Sequence, residues 1–81
     1  MYPKLHDAIV WVLLDIAEGQ ATARWIAEQI HARKLYRKPM SVATLEARIR
    51  KCAKDPKRAH LFEMPTRNTI KLRIEQPNPA A

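Results

Sequence analysis

The sequence predicts a mainly α fold closed by a small β-hairpin. Three observations predict it. Apolar residues recur at helical spacing in three separate stretches before residue 55. Two short apolar stretches then flank a turn, and the second alternates apolar with charged residues. With 81 residues, these elements must share one modest core, which leaves no room for a deep substrate cleft plus a cofactor domain.

Taken in order, the first helix is expected over about 4–18. Leu5, Ile9, Val12, Leu13 and Ile16 form its stripe, Pro3 suits the first turn, and Asp7 sits near the positive end of the helix dipole. Gly19, the only glycine, is the expected stop. Val10, Trp11 and Leu14 lie outside the stripe and give this helix a surplus apolar face, which suits either a dimer interface or a central place in the core. Asp7 and Asp15 interrupt the apolar run and no cationic region precedes it, so neither a signal peptide nor a membrane span is expected.

Gln20 to Thr22 is too short for a helix and is expected to be an extended segment that pairs with the later hairpin. Thr22 then caps a second helix over about 23–33, with Ile26 and Ile30 inside, Ala23 and Ala27 beside them, and Trp25 supplying core area rather than stacking on a base. Pro39 disfavours helix at Lys38. In that connection Leu35 and Tyr36 fold back onto the core, while Arg33, Lys34, Arg37 and Lys38 face water.

Ser41 caps the third helix, about 42–54. At about 100° per residue, Val42, Leu45, Ile49 and Cys52 fall on one side. Ala43, Thr44, Ala47 and Lys51 fall on the other. Arg48 and Arg50 flank that outer face and Lys54 extends it, so it is small at first and cationic later. Asp55-Pro56 ends the helix. The stretches 60–65 and 68–74 read as two strands, with Thr66, Arg67 and Asn68 turning between them and Asn68 suited to a positive φ. The domain is expected over 1–75, with 76–81 as a frayed tail.

The formal net charge is +7, yet residues 33–58 hold ten cations against two anions, a balance of +8. All the excess charge therefore lies in the third helix and its flanking loops. That concentration points to a polyanionic partner. A membrane surface fits less well, because the bulky apolar faces near the basic helix are needed for the core. No nucleophile–base pattern emerges among Ser41, His31, His60 and Asp55, so no catalytic residue, enzyme activity or cofactor is expected. The three histidines lack ligand spacing, so no metal is expected. Cys52, the only cysteine, fits a small core residue in a reducing compartment. Glu63 would repel a phosphate and is expected to point away from one.

The order helix, short extended segment, helix, helix, hairpin is that of a winged helix-turn-helix: three helices plus a two- to three-stranded wing. Four stretches carry a narrower resemblance, namely DAIVWVLLDIAEG, TARWIAEQIHARKLYRK, SVATLEARIRK and DPKRAHLFEMPTRNTIKLR. In order and at compatible spacing they resemble the HARE-HTH family, winged helices of chromatin factors, restriction endonuclease-linked domains and the delta subunit of bacterial RNA polymerase. The resemblance spans about residues 5 to 73. The family tends to carry glycine where Lys34 stands, and often proline where Val42 stands.

The expected function is double-stranded DNA binding by a small basic regulator of transcription, or of a phage or mobile-element process, in the cytoplasm or on the nucleoid. Helix 42–54 would enter the major groove with Ala43, Thr44, Ala47 and Arg48 nearest the bases. Arg37, Lys38, Arg50, Lys51, Lys54, Lys57 and Arg58 would hold phosphates, and the wing, 60–74, would bring Arg67 and Asn68 beside the minor groove. Two other partners stay open. One is a protein, such as RNA polymerase or another acidic surface, with Trp11, Trp25 or Tyr36 as exposed anchors. The other is RNA, although single-strand readers present stacking aromatics and only five aromatics exist here. A homodimer would double the footprint on DNA.

Overall fold

The computed structural model describes residues 4–16, 18–36 and 40–73. It is a winged helix-turn-helix. The elements run α1 (Leu5–Leu14), β1 (Gln20–Thr22), α2 (Ala23–Arg33), α3 (Val42–Lys54), a 3-10 turn (Pro56–Arg58), β2 (Phe62–Thr66) and β3 (Thr69–Leu72). The strands form an antiparallel sheet in the order β1-β3-β2. Pro3, the loop residues Arg37, Lys38 and Pro39, the last wing position Ile74 and the tail lie outside the described residues.

One core serves all the elements. Ala8, Ile9, Val12 and Leu13 of α1, Ala23, Ile26, Ala27 and Ile30 of α2, Leu45, Ile49 and Ala53 of α3, and Phe62, Ile70 and Leu72 of the sheet are buried together. The stripe of α3 is rotated slightly from expectation. Ala53 takes the buried place one turn beyond Ile49, and Cys52 is only half-buried. Trp25, Leu35 and Tyr36 are half-buried and pack against this core, as the spacing implies.

The first helix is shorter than the 4–18 expected from its spacing. It ends at Leu14. The Asp15 and Ile16 amides bond to carbonyls three residues back, at 3.2 Å each, so the last turn tightens and the chain leaves the helix axis. Gly19 is left-handed, with φ at 65°. It does not cap the helix; its carbonyl accepts from the Leu72 amide at 2.8 Å and leads the chain into the sheet. Trp11 and Leu14 are 56% and 59% exposed, so of α1's second apolar face only Val10 packs against the core.

Helix boundaries elsewhere follow their caps. The Thr22 hydroxyl accepts from the Trp25 amide at 3.1 Å, and the Ser41 hydroxyl from the Thr44 amide at 3.2 Å. β1 pairs with β3, with Ala21 opposite Ile70. On the other edge the β2–β3 register shifts between Glu63 and Thr66. Pro65 lies in that irregular stretch, on an edge strand, where its missing N–H breaks no ladder bond. Asn68 does not take the positive φ expected of it; among the described residues Lys34 is the only non-glycine that does.

Lys34 is where the family resemblance places glycine. Its φ and ψ are 53° and 43°. The Lys34 amide bonds to the His31 carbonyl at 3.3 Å and the Leu35 amide to the Ile30 carbonyl at 3.0 Å, the paired pattern of a Schellman turn. A side chain in this conformation costs about 1–2 kcal/mol, and a glycine's greater freedom in the unfolded chain offsets part of its removal. Lys34→Gly should therefore stabilise the fold by about 0.5–1 kcal/mol. A urea midpoint that rises at constant slope is the expected result; an unchanged or lower midpoint means that Lys34 holds no strain.

Candidate nucleic-acid interface

The outer face of α3 forms because its inner face is committed. Leu45, Ile49 and Ala53 are buried, chiefly against α2, so the opposite side must face water. Ala43, Thr44, Ala47 and Arg48 lie exposed along the first two turns, and Lys51 and Lys54 follow, also exposed. The Thr44 hydroxyl sits 3.0 Å from that of Ser41, which ties it to the cap. Arg48, Lys51 and Lys54 have no ion-pair partner among the described residues, so their charge is directed outward.

Beyond α3, the Asp55 carboxylate accepts from the Lys57 amide at 3.0 Å and so starts the 3-10 turn. Lys57 is exposed there. Arg58 is half-buried and turns toward Cys52. Burial pushes the Cys52 thiol above its ordinary pKa; the Arg58 charge and hydrogen bond oppose that push, and the Asp55 carboxylate adds to it. Arg58 is thus less exposed than Lys57.

The wing brings a second group of residues to the same side. Arg67 and Asn68 form its turn and are exposed. Between them and α3 lies an open cleft of about 500 Å³ lined by Arg50, Lys54, Arg67 and Asn68. Arg50 differs from the other cations. Its Nη1 donates to Asn68 Oδ1 at 3.1 Å and stands 3.3 Å from Glu46 Oε2. Sequence reasoning grouped Arg50 with the phosphate contacts; the fold makes it a link between α3 and the wing. No local signal pointed to this pairing, because 18 residues separate the partners. Glu63 pairs across the strands with Lys71, away from the buried Phe62, Ile70 and Leu72, and so lies on the outer face of the sheet.

Not every cation of the basic segment joins this surface. Arg33 Nη1 is bound by Asp15 Oδ2 at 2.6 Å, which joins the ends of α1 and α2. Arg37 and Lys38 fall outside the described residues. The residues brought together are therefore Arg50 and Lys54 of α3 with Arg67 and Asn68 of the wing turn, while Lys57 is exposed on the 3-10 turn that follows α3. Among the described residues no group of three His, Cys, Asp or Glu side chains is arranged to hold a metal, and no helix is long and apolar enough to cross a membrane. Comparison with protein-family models, with curated proteins and with solved structures gives no match.

The raised thiol pKa has a measurable consequence. Less thiolate forms in the folded chain at neutral pH than in the unfolded one. Alkylation of Cys52 by iodoacetamide should be slower in buffer than in urea, even allowing for exposure. By linkage, the thiol contributes stability below its unfolded pKa that is lost as pH rises through the folded value. Equal alkylation rates in the two conditions would contradict the burial described.

Proposed function

We propose that the chain is a double-stranded DNA-binding winged helix, with α3 in the major groove and the wing beside the minor groove. The observation that carries this reading is the exposed face of α3, on which small first turns are followed by unpaired Arg48, Lys51 and Lys54, with Arg67 of the wing turn beside Lys54. Small residues let a helix approach a groove floor, and cations at its far end meet phosphates at the groove wall. Ala43, Thr44, Ala47 and Arg48 are assigned to the bases, and Lys51, Lys54 and Lys57 to the backbone. The resemblance to HARE-HTH domains supports the same reading, and with it a role as a small regulator acting in the cytoplasm or on the nucleoid.

A protein partner is the second reading, favoured by Trp11 and Leu14. They stand exposed together on α1, one helical turn apart, where an acidic or mixed surface with an apolar centre would cover them. Trp25 does not add to that face, being half-buried against the core.

A titration against mixed-sequence duplex, single-stranded DNA and RNA at several salt concentrations separates these readings. With Lys51, Lys54, Lys57 and Arg67 making about four phosphate contacts, the duplex affinity should fall by roughly a hundredfold between 50 and 200 mM salt. Arg48→Ala should relax sequence preference. Lys51→Ala should weaken all duplexes about equally and reduce the salt slope by about 1. If neither substitution changes duplex binding at low salt, α3 is not the recognition helix.

A further inference from the structure

The two walls of the cleft, α3 and the wing turn, are joined by a chain of contacts beyond those that close the hairpin. Thr66 and Thr69 already pair across the turn, with their hydroxyls 2.8 Å apart. Asn68 does something else. Its carbonyl accepts from the Ala23 amide at 2.8 Å, which anchors the turn to the start of α2. Its side-chain Oδ1 accepts from Arg50, which anchors the same turn to α3. Arg50 is in turn held by Glu46, one helical turn earlier. The wing turn is thus braced against both helices of the helix-turn-helix pair.

This bracing fixes which atoms face the cleft. Because Oδ1 receives the Arg50 hydrogen bond, the Asn68 amide is oriented and its Nδ2 is left as a donor. Glu46 meets much of the Arg50 charge. Lys54 and Arg67 have no carboxylate partner among the described residues and line the same cleft from opposite walls. Two cations and one neutral donor converging on one open space are suited to a single phosphodiester, which offers several acceptor oxygens and one negative charge.

We propose that this cleft seats one backbone phosphate of duplex DNA, gripped by Lys54, Arg67 and Asn68 Nδ2, and that Arg50 is a positioning residue that orients Asn68 through Oδ1. The proposal rests on the duplex-DNA reading above and adds to it a defined contact. It also explains why an arginine on the basic face of α3 is joined to a carboxylate. Glu46 and Arg50 together are a neutral brace, and the charge that grips the phosphate comes from the two prongs beyond them.

The test uses the full chain, a mixed-sequence duplex at low salt, and the side-chain amide signal of Asn68 in nitrogen–proton correlation spectra. Asn68→Asp keeps the Oδ1 acceptor for Arg50 but places an anionic oxygen where Nδ2 stood. Its folding stability should equal or exceed that of Asn68→Ala, yet it should bind duplex more weakly. A merely structural asparagine predicts that the Asn68 side-chain amide signal does not move with duplex. Lys54→Ala and Arg67→Ala should each weaken binding about tenfold. Together they should weaken it by less than the product, because both act on one phosphate. Arg50→Ala should move the free protein's Asn68 amide signal, and Arg50→Lys should partly restore it.

The expected result is an Asn68 signal that shifts and saturates with duplex but not with inorganic phosphate over the same concentrations. If duplex shifts the backbone signals of Ala47 to Lys51 and leaves Asn68 unmoved, or if Asn68→Asp binds as well as Asn68→Ala, the phosphate seat is wrong while the DNA reading stands. If inorganic phosphate moves Asn68 as strongly as duplex does, the cleft is a small-anion site and the proposal fails. If duplex shifts nothing, both fail.

Discussion

The rotation of α3 about its own axis is the constraint on which the rest depends. Leu45, Ile49 and Ala53 are buried at 2%, 0% and 6% exposure, in contact with a core shared by both other helices and the sheet. A helix cannot turn one face inward without turning the opposite face outward. Removing Ile49 would cost about 2–5 kcal/mol, far more than any one exposed charge contributes. Apolar burial therefore decides where Arg48, Lys51 and Lys54 point. The cations do not position the helix; they are carried by it.

Rotation alone would leave the wing free to swing, since a two-stranded hairpin is marginal in water. Two features prevent that. β1 joins β3 and makes it a central strand, with Ile70 buried at 0% beneath it. The Asn68 carbonyl and side chain then fasten the tip to α2 and to α3. A surface held at three points loses less freedom when it meets a rigid duplex, so more of each contact remains as affinity. The Arg50 link is exposed and modest in energy by itself. Its value lies in geometry, because it ties the wing turn to α3.

Much of this was legible in the sequence where the determinants are local. Thr22 and Ser41 mark helix starts because a hydroxyl at that position satisfies an amide three residues on. The apolar spacing of α2 and α3 located their buried faces, and Gln20–Thr22 was short enough to demand a partner strand. What was not legible depended on distant pairing. The spacing of Leu5 to Ile16 continues past Leu14, yet the chain must leave α1 there for the Gly19 carbonyl to reach Leu72. Asn68 suggested a left-handed turn because asparagine tolerates one. Its side chain bonds instead to Arg50, 18 residues away in sequence. Lys34 shows the converse: a left-handed cap is imposed by the Schellman turn on a residue whose type gave no sign of it.

The charge count of the basic segment overstates the field at the interface, and its arrangement corrects the count. Arg33 closes onto Asp15, Arg50 onto Glu46, and Arg58 turns toward Cys52. Arg33 and Arg50 hold elements together and contribute correspondingly less to a partner. Lys34, Arg48, Lys51, Lys54 and Lys57 are left exposed among the described residues of the segment, with Arg67 added from outside it. Exposed charges are screened within about 8 Å at physiological ionic strength, so only cations that reach a phosphate closely matter there. A surface built this way separates two tasks that a simple basic patch would merge. Arg50 ties helix to wing, and on the proposed DNA reading the unpaired cations beside it would meet the polyanion. On that same reading, discrimination among sequences would fall to Ala43, Thr44, Ala47 and Arg48, the exposed positions of the first two turns of α3.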